Sequence, residues 1–145
     1  MGTVLVVDLL NPIILAGTLI GGLIPVMFTG LTILGVQRNA GKMIAEIRRQ
    51  FRRNPRILAG KSLPDYDRCI SIATSGAISE LMPGTVISIV ATIVTGVVLG
   101  LQALAAYIGG AVVTGLVLAL FMDNAGGAWD NTKKVVESMA YDHKQ

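Results

Sequence analysis

Two long stretches without a charged side chain dominate this sequence. The first runs from Leu9 to Gln37 and has 29 residues, and the second runs from Leu81 to Met122 and has 42 residues. A helix needs about 20 apolar residues to cross about 30 Å of hydrocarbon, so the first stretch fits one membrane span and the second fits two. We therefore expect an all-α integral membrane protein with three transmembrane helices, at about residues 12–36, 79–100 and 104–125.

The composition supports the same class. Of the 145 residues, 52% are hydrophobic and 14% are charged, whereas about 25% are charged in typical soluble domains. This balance argues against a soluble globular enzyme, and the length fits one unit. Cys69 is the only cysteine and His143 the only histidine, so neither an internal disulfide nor a zinc site of Cys and His ligands can form. The N-terminus lacks the basic start of a secretory signal, and the first span should insert as an ordinary helix.

The first span carries its own start and break signals. Asn11 fits the N-cap position, with Pro12 as the first helical residue. Pro25 lies inside the span, where it removes a backbone hydrogen bond and predicts a kink. Gly17 and Gly21 form a GxxxG pair, a spacing that allows close contact between helices in lipid. A chain with 17 glycines also produces this spacing by chance, and we take chance as the expected explanation.

The segment after the first span, residues 38–78, holds nine of the twelve basic residues. Ile44, Ile47 and Phe51 fall on one helical face and arginines occupy the remainder, which predicts a short basic amphipathic helix ending at Asn54–Pro55. A loop over residues 60–67 should follow. Since basic residues stay on the cytoplasmic side, we expect segment 38–78 in the cytoplasm and the N-terminus on the opposite side.

The second uncharged stretch needs one reversal, and Gly100-Leu101-Gln102 is the only candidate. The third helix should begin near residues 103–106 and continue to about Glu137, because no proline interrupts it. A helix of that length exceeds the hydrocarbon thickness, so its end, at residues 126–145, should project into the cytoplasm. Lys144 agrees with this placement.

Several polar residues between the spans allow more than one interpretation. Asp65 and Asp67 fit local ion pairs in a solvated loop, although paired carboxylates are also candidates for acid–base or metal chemistry. Glu80 lies at the entry to the second span, where an acid is either a functional residue or solvated at the interface. The arginine run 48–53 is explained by topology and anionic headgroups, so we expect no nucleic acid partner.

The densest polar cluster follows the third span. On a helix, Asp123, Gly127, Asp130 and Lys134 share one face, with Gly126 and Lys133 beside it. Carboxylates are ligands for Mg²⁺, lysine binds phosphate oxygens, and glycines leave room for an anion, so this face suits a magnesium-bound phosphate group. The alternative is that these residues anchor the helix end, with Asp130 in an ordinary ion pair and Trp129 in the aromatic belt.

The same cluster carries a resemblance to a known family. Residues 124–134 read NAGGAWDNTKK, residues 46–52 read EIRRQFR, and residues 60–69 read GKSLPDYDRC. Together with residues 8–32, these segments resemble four ordered motifs of membrane-bound, ion-translocating pyrophosphatases. The resemblance covers nearly the whole chain.

This resemblance implies a pump that couples hydrolysis of cytosolic pyrophosphate to transport of H⁺ or Na⁺, working as a homodimer in the lipid bilayer with Mg²⁺ and often K⁺. On the matching positions, Lys133 would bind pyrophosphate and Asp130 would bind the metal. The supporting residues would be Asn131, Gly126, Gly127, Trp129, Lys134 and Asp123.

Family members are several times longer than this chain, which resembles only three of their late spans. The aspartate-rich DTxGDPxKD motif and the earlier acidic helices of the family have no counterpart here. We therefore expect a part of a larger helical bundle that needs the remaining helices of the pump and is inactive alone. The alternatives are a non-catalytic three-helix membrane protein that binds a partner or anionic lipid, and a phosphate-handling transporter subunit.

Overall fold

The computed structural model describes residues 6–142, with side chains described as far as residue 139. It contains three α-helices: α1 spans Pro12–Arg53, α2 spans Tyr66–Leu99 and α3 spans Leu101–Asp142. No strand occurs among the described residues. The predicted all-α class is confirmed. His143 and Lys144 lie outside the described residues.

Each helix is long and apolar enough to cross a membrane. The most apolar 18-residue windows of α1, α2 and α3 have mean hydropathies of 2.1, 2.0 and 2.2. Only 11% of each window is buried inside the chain. The apolar surfaces are therefore left for lipid or for other helices, as expected for three membrane spans.

The start of α1 follows its sequence signals. The Asn11 side-chain oxygen accepts a hydrogen bond from the Ile13 N–H at 2.9 Å, and Pro12 is the first helical residue. Asn11 is therefore the predicted N-cap. The helix continues through Pro25, and the kink expected there stays a prediction.

The basic amphipathic segment differs from the prediction in one respect. It is helical and ends at Arg53, directly before Asn54–Pro55, but it is the last part of α1 and not a separate helix. No proline stands between Pro25 and Pro55, and Gly41 costs the helix only about 1 kcal/mol. The helix therefore continues from the apolar stretch without a break.

Helix α2 begins at Tyr66, inside the loop predicted for residues 60–67. The cause is a cap that spacing did not reveal: the Asp65 carboxylate accepts a hydrogen bond from the Arg68 N–H at 2.9 Å, the N-cap to N3 pattern. Asp65 therefore starts a helix, where an ion pair in a loop was expected. The connector between α1 and α2 therefore comprises residues 54–65. The limits of the membrane spans, which lie within these longer helices, stay predictions.

The break between α2 and α3 falls where the sequence predicts a reversal and is shorter than expected. Gly100 alone separates the two helices, with φ of 87°. This left-handed conformation carries little cost only for glycine. Helix α3 therefore starts at Leu101, earlier than predicted, and runs past Glu137 to Asp142.

The chain forms two compact units, one from Met27–Val98 and one from the described parts of Met1–Val26 and Leu99–Gln145. In the latter, Gly17 and Gly21 lie against the backbone of Ala103 and Tyr107, so closely that a Cβ at either glycine would overlap a carbonyl oxygen. The GxxxG pair is therefore a real helix contact. The expectation of a chance match was wrong, because spacing alone does not show what faces a glycine.

In the other unit, glycines of both helices also set the approach of α1 to α2. A Cβ at Gly84 would lie 2.8 Å from the Phe28 ring, and one at Gly35 would lie 2.6 Å from the Glu80 Cβ. Gly76 faces the Asn39 side chain in the same way. Small residues thus bring polar side chains of the two helices within reach of each other.

Candidate functional site

The polar residues after the third apolar stretch lie on one continuous helix, α3. The helix therefore places Asp123, Gly127, Asp130 and Lys134 along one face, as predicted. The Asp130 carboxylate forms an ion pair with the Lys134 ammonium at 2.6 Å, and Lys133 pairs with Glu137 at 3.6 Å. Both are i,i+4 pairs of the ordinary helical kind.

This face is open within the described chain. The side chains of Asp130 and Lys133 are 59% and 69% exposed, and Trp129 is 77% exposed. Apart from the neighbouring residues and backbone of the same helix, no atom of the described chain lies within 4 Å of a Cβ built at Gly126 or Gly127. An open glycine surface between charged side chains leaves room for an anion or for another helix.

Neighbouring polar side chains differ in where they direct their hydrogen bonds. Asn124 donates to the Leu120 carbonyl at 2.8 Å, and the Thr132 hydroxyl donates to the Ala128 carbonyl at 2.8 Å. The donor groups of both side chains are therefore taken up by backbone carbonyls of their own helix. Asp123 and Asn131 are exposed, so their side-chain oxygens remain accessible.

The donor set on α3 has the chemistry that Mg²⁺ prefers but is incomplete. Carboxylate and amide oxygens suit this ion, which usually takes one or two carboxylates together with substrate phosphates. Asp123 and Asp130 lie about 10 Å apart along the helix axis, too far to share an ion. Among the described residues, no group of three His, Cys, Asp or Glu side chains could hold a metal. The carboxylates of this face therefore do not form a metal site by themselves within the described part of the chain.

A second polar cluster joins the end of α1 to the start of α2. Arg49 donates to both oxygens of Glu46, at 2.8 Å and 2.6 Å. The Gln50 amide donates to Glu46 at 2.9 Å and to the Asp65 carbonyl at 3.1 Å, and it accepts from the Asp65 N–H at 2.8 Å. Glu46 and Gln50 are 7% and 6% exposed, so this cluster is a buried polar network.

The network changes the acidity of its carboxylate. Hydrogen bonds from Arg49 and then Gln50 lower the pKa of Glu46 from its usual 4.5 to about 2, against the opposing effect of burial. The i,i+3 spacing of Glu46 and Arg49 signals this pair in the sequence. Nothing local signals the contact of Gln50 with a backbone 15 residues away, and sequence reasoning missed it.

Glu80 forms an ion pair with Arg38. The Arg38 Nε lies 3.2 Å from both carboxylate oxygens, and the Nη2 completes a bidentate contact. The Glu80 side chain is 17% exposed. Next to this pair, Asn39 donates to the Ala73 carbonyl at 3.3 Å. Glu80 is therefore neither an isolated acid nor a solvated one, because it links α2 to α1.

Comparison with known proteins assigns the chain to a family. The family described as inorganic H⁺ pyrophosphatase matches residues 2–145. The chain belongs to the inorganic H⁺ pyrophosphatase family. The match includes α3 with Asp130 and Lys133, and also the network around Glu46 and Gln50.

Several relatives of this chain are named as membrane pumps. A "Putative K(+)-stimulated pyrophosphate-energized sodium pump" of Bacteroides thetaiotaomicron is 47% identical over 131 residues, which is 90% of this chain and 18% of that protein. A "K(+)-insensitive pyrophosphate-energized proton pump" of Methanosarcina mazei is 40% identical over 139 residues, which is 95% of this chain and 21% of that protein. The chain thus spans about a fifth of the length of these relatives.

Proposed function

We propose that this chain is a segment of a membrane pump that couples hydrolysis of cytosolic pyrophosphate to transport of H⁺ or Na⁺. The observation that carries the proposal is the family match over residues 2–145. Relatives named as proton pumps and as sodium pumps have similar identity to it, so the proposal extends to either ion. Any effect of K⁺, which appears in the relatives' names, is proposed for the complete pump only.

Within this function, α3 supplies one wall of the site that binds pyrophosphate. The Lys133 ammonium contacts a phosphoryl oxygen, because a lysine is a strong point charge for phosphate. Gly126 and Gly127, which meet no atom of the described chain, let the anion approach the helix. Trp129 and Asn131 shape the site beside them.

Asp130 contributes a carboxylate oxygen to a magnesium site. Bound Mg²⁺ would neutralise charge on the phosphates and orient them for hydrolysis. In the chain alone Asp130 is paired with Lys134, so a metal must compete with that ammonium for the carboxylate. Lys134 and Asp123 are the supporting charges at the two ends of this face.

The isolated chain should not hydrolyse pyrophosphate. Phosphoryl transfer depends on positioning and on many charges around the reacting group in a water-excluded site. Within the described part of the chain, Asp130 and Lys133 lie on an open surface. No group of three His, Cys, Asp or Glu side chains that could hold a metal ion is found there. The remaining helices, in the same or a separate polypeptide, would have to enclose this surface, and a homodimer is the assembly we propose for the whole pump.

A chimera tests the function directly. This chain would replace the matching segment of the Methanosarcina mazei relative, and Mg²⁺-dependent pyrophosphate hydrolysis would be measured in membranes. Asp130→Asn and Lys133→Ala should each lower the rate at least a hundredfold, as loss of a charge contact to a reacting phosphate does. Asp67→Asn and Lys61→Ala, exposed residues of the same types, should leave the rate within about twofold. A chimera that assembles in the membrane and hydrolyses nothing would refute the proposal and favour a non-catalytic membrane protein.

A further inference from the structure

Four arginines surround one surface depression at the end of α1. Arg48, Arg49, Arg52 and Arg53 line a depression of 570 Å³, whose remaining lining residue is Ala45. Their spacing on the helix places Arg48 beside Arg52 and Arg49 beside Arg53. The small Ala45 side chain leaves the space between the guanidinium groups open. We call these four residues the arginine cradle.

The charge of the arginine cradle is largely uncompensated. Glu46 pairs with Arg49 and fixes that guanidinium, but no described carboxylate lies within 4.0 Å of Arg48, Arg52 or Arg53. Two like-charged i,i+4 pairs side by side each destabilise a helix by a few tenths of a kcal/mol. A bound anion would remove this repulsion.

Membrane topology explains why this segment is positively charged but not why most of its basic residues are arginines. The preference for basic residues in the cytoplasm counts lysine and arginine alike. Of the nine basic residues in segment 38–78, seven are arginines, and four of those share the cradle. Guanidinium groups differ from ammonium groups in their planar, bidentate fit to phosphate oxygens.

The distance from the bilayer favours a soluble anion over a lipid headgroup. Arg48 lies ten residues beyond Arg38, the first charge after the apolar stretch, which is about 15 Å along the helix axis. A helix tilt of about 20° reduces this height only to about 14 Å. The headgroup layer is about 5–7 Å thick on each side, and Arg52 and Arg53 lie a further turn outward.

We propose that the arginine cradle binds a soluble, phosphate-bearing anion on the cytoplasmic side, by bidentate contacts from Arg48, Arg52 and Arg53. The choice of pyrophosphate as that anion rests on the proposed function of the chain. The cradle shares no residue with the Asp130 and Lys133 face. Its effect would be to raise the local concentration of the substrate anion near the pump.

The full chain in nanodiscs of neutral phosphatidylcholine allows a direct test with pyrophosphate, measured by isothermal titration calorimetry. The triple variant R48Q/R52Q/R53Q should bind at least about tenfold more weakly, and R48K/R52K/R53K should lose affinity several-fold despite keeping its charge. The control K42Q/R56Q/K61Q removes equal charge from the same segment and should stay within about threefold. Circular dichroism would verify that all variants keep their helix content.

The outcomes separate this inference from its alternatives. Equal binding by the two triple arginine variants and the wild type would overturn it. So would the absence of pyrophosphate binding together with cradle-dependent enrichment of phosphatidylglycerol around the chain in mixed nanodiscs, which would assign the cradle to lipid. Loss of binding in Lys133→Ala, with full binding in R48Q/R52Q/R53Q, would also overturn it and leave the proposed function standing. If the arginine cradle binds pyrophosphate but the chimera hydrolyses none, this inference stands and the proposed function is refuted.

Discussion

Gln50 pairs with both backbone polar groups of Asp65. Its side-chain oxygen accepts from the Asp65 N–H at 2.8 Å and its amide nitrogen donates to the Asp65 carbonyl at 3.1 Å. Asp65 is the residue that caps α2 through the Arg68 N–H. A single buried amide on α1 therefore fixes the point at which α2 begins.

Replacing Gln50 by alanine should destabilise the fold. The change leaves the part-buried Asp65 N–H without its partner. It also removes one of the donors to the Asp65 carbonyl and to a Glu46 oxygen, which keep Cys69 and Arg49 as partners. An unsatisfied buried group costs about 1–3 kcal/mol, so we expect the free energy of unfolding to fall by about that amount, measured by circular dichroism during SDS titration in mixed micelles. Gln37→Ala, at an exposed position of the same helix, should change it by less than about 0.5 kcal/mol. Equal stability of the two variants would contradict this role of Gln50.

Acid should weaken the network around Glu46, which lies beyond the predicted first span. Its pKa is about 2 in the folded chain and 4.5 ordinarily, so the ionised form is favoured by folding. The stabilisation is complete above about pH 4.5 and is lost as the pH falls towards 2. The wild type should therefore lose its stability advantage over Glu46→Gln across this window. An advantage that stays constant from pH 7 to pH 2 would refute the assignment.

The features predictable from sequence are those encoded by neighbouring residues. The Asn11 cap with Pro12, the end of α1 before Pro55 and the helix break at Gly100 each depend on local backbone preferences. The ordered motifs of the family likewise marked Asp130 and Lys133 without any coordinates. Helix caps, prolines and glycines act through the few residues around them, and at these positions the structure agrees with the prediction.

The features that were missed depend on residues brought together in space. Asp65 is assigned to a loop from sequence because its role as the N-cap of α2 can be recognised only when the start of that helix is known. The spacing of Gly17 and Gly21 could not show that the α3 backbone faces them. The sequence alone leaves Glu80 open between a functional residue and a solvated acid, because its partner, Arg38, lies 42 residues away. Pairing across helices leaves no periodic trace in one sequence.

Two glycines of α1 should respond in opposite directions to the same change. A Cβ at Gly21 would overlap the Tyr107 carbonyl oxygen, whereas one at Gly30 meets nothing within 4 Å. Gly21→Ala should lower the unfolding free energy by about 1–3 kcal/mol, since backbone must move. Gly30→Ala should leave it unchanged or raise it by up to about 1 kcal/mol, because alanine is the better helix former. SDS titration would measure both, and a tolerated Gly21→Ala would contradict the close approach.

The Arg38–Glu80 pair should show energetic coupling in a double-mutant cycle of Arg38→Gln and Glu80→Gln. The Arg38 side chain is 56% exposed and Glu80 is 17% exposed, so solvent screens part of the attraction and we expect a small coupling of favourable sign. Arg38→Gln alone should cost more than Glu80→Gln, because it leaves the less exposed Glu80 carboxylate unpaired, whereas Arg38 left without Glu80 can be solvated. Additive effects of the two changes would show that the contact contributes nothing to stability.

The orientation of the chain can be tested with two exposed leucines. Leu63 lies in the connector between α1 and α2 and is 81% exposed, and Leu10 precedes α1 and is 91% exposed. Segment 38–78 carries nine basic residues and should therefore be cytoplasmic. In a Cys69→Ser background, a membrane-impermeant maleimide should label Leu63→Cys in inverted vesicles and Leu10→Cys in intact cells. Neither substitution alters a charge, so the topology of the chain should not change. The opposite labelling pattern would reverse the proposed orientation and place the end of α3 outside the cytoplasm.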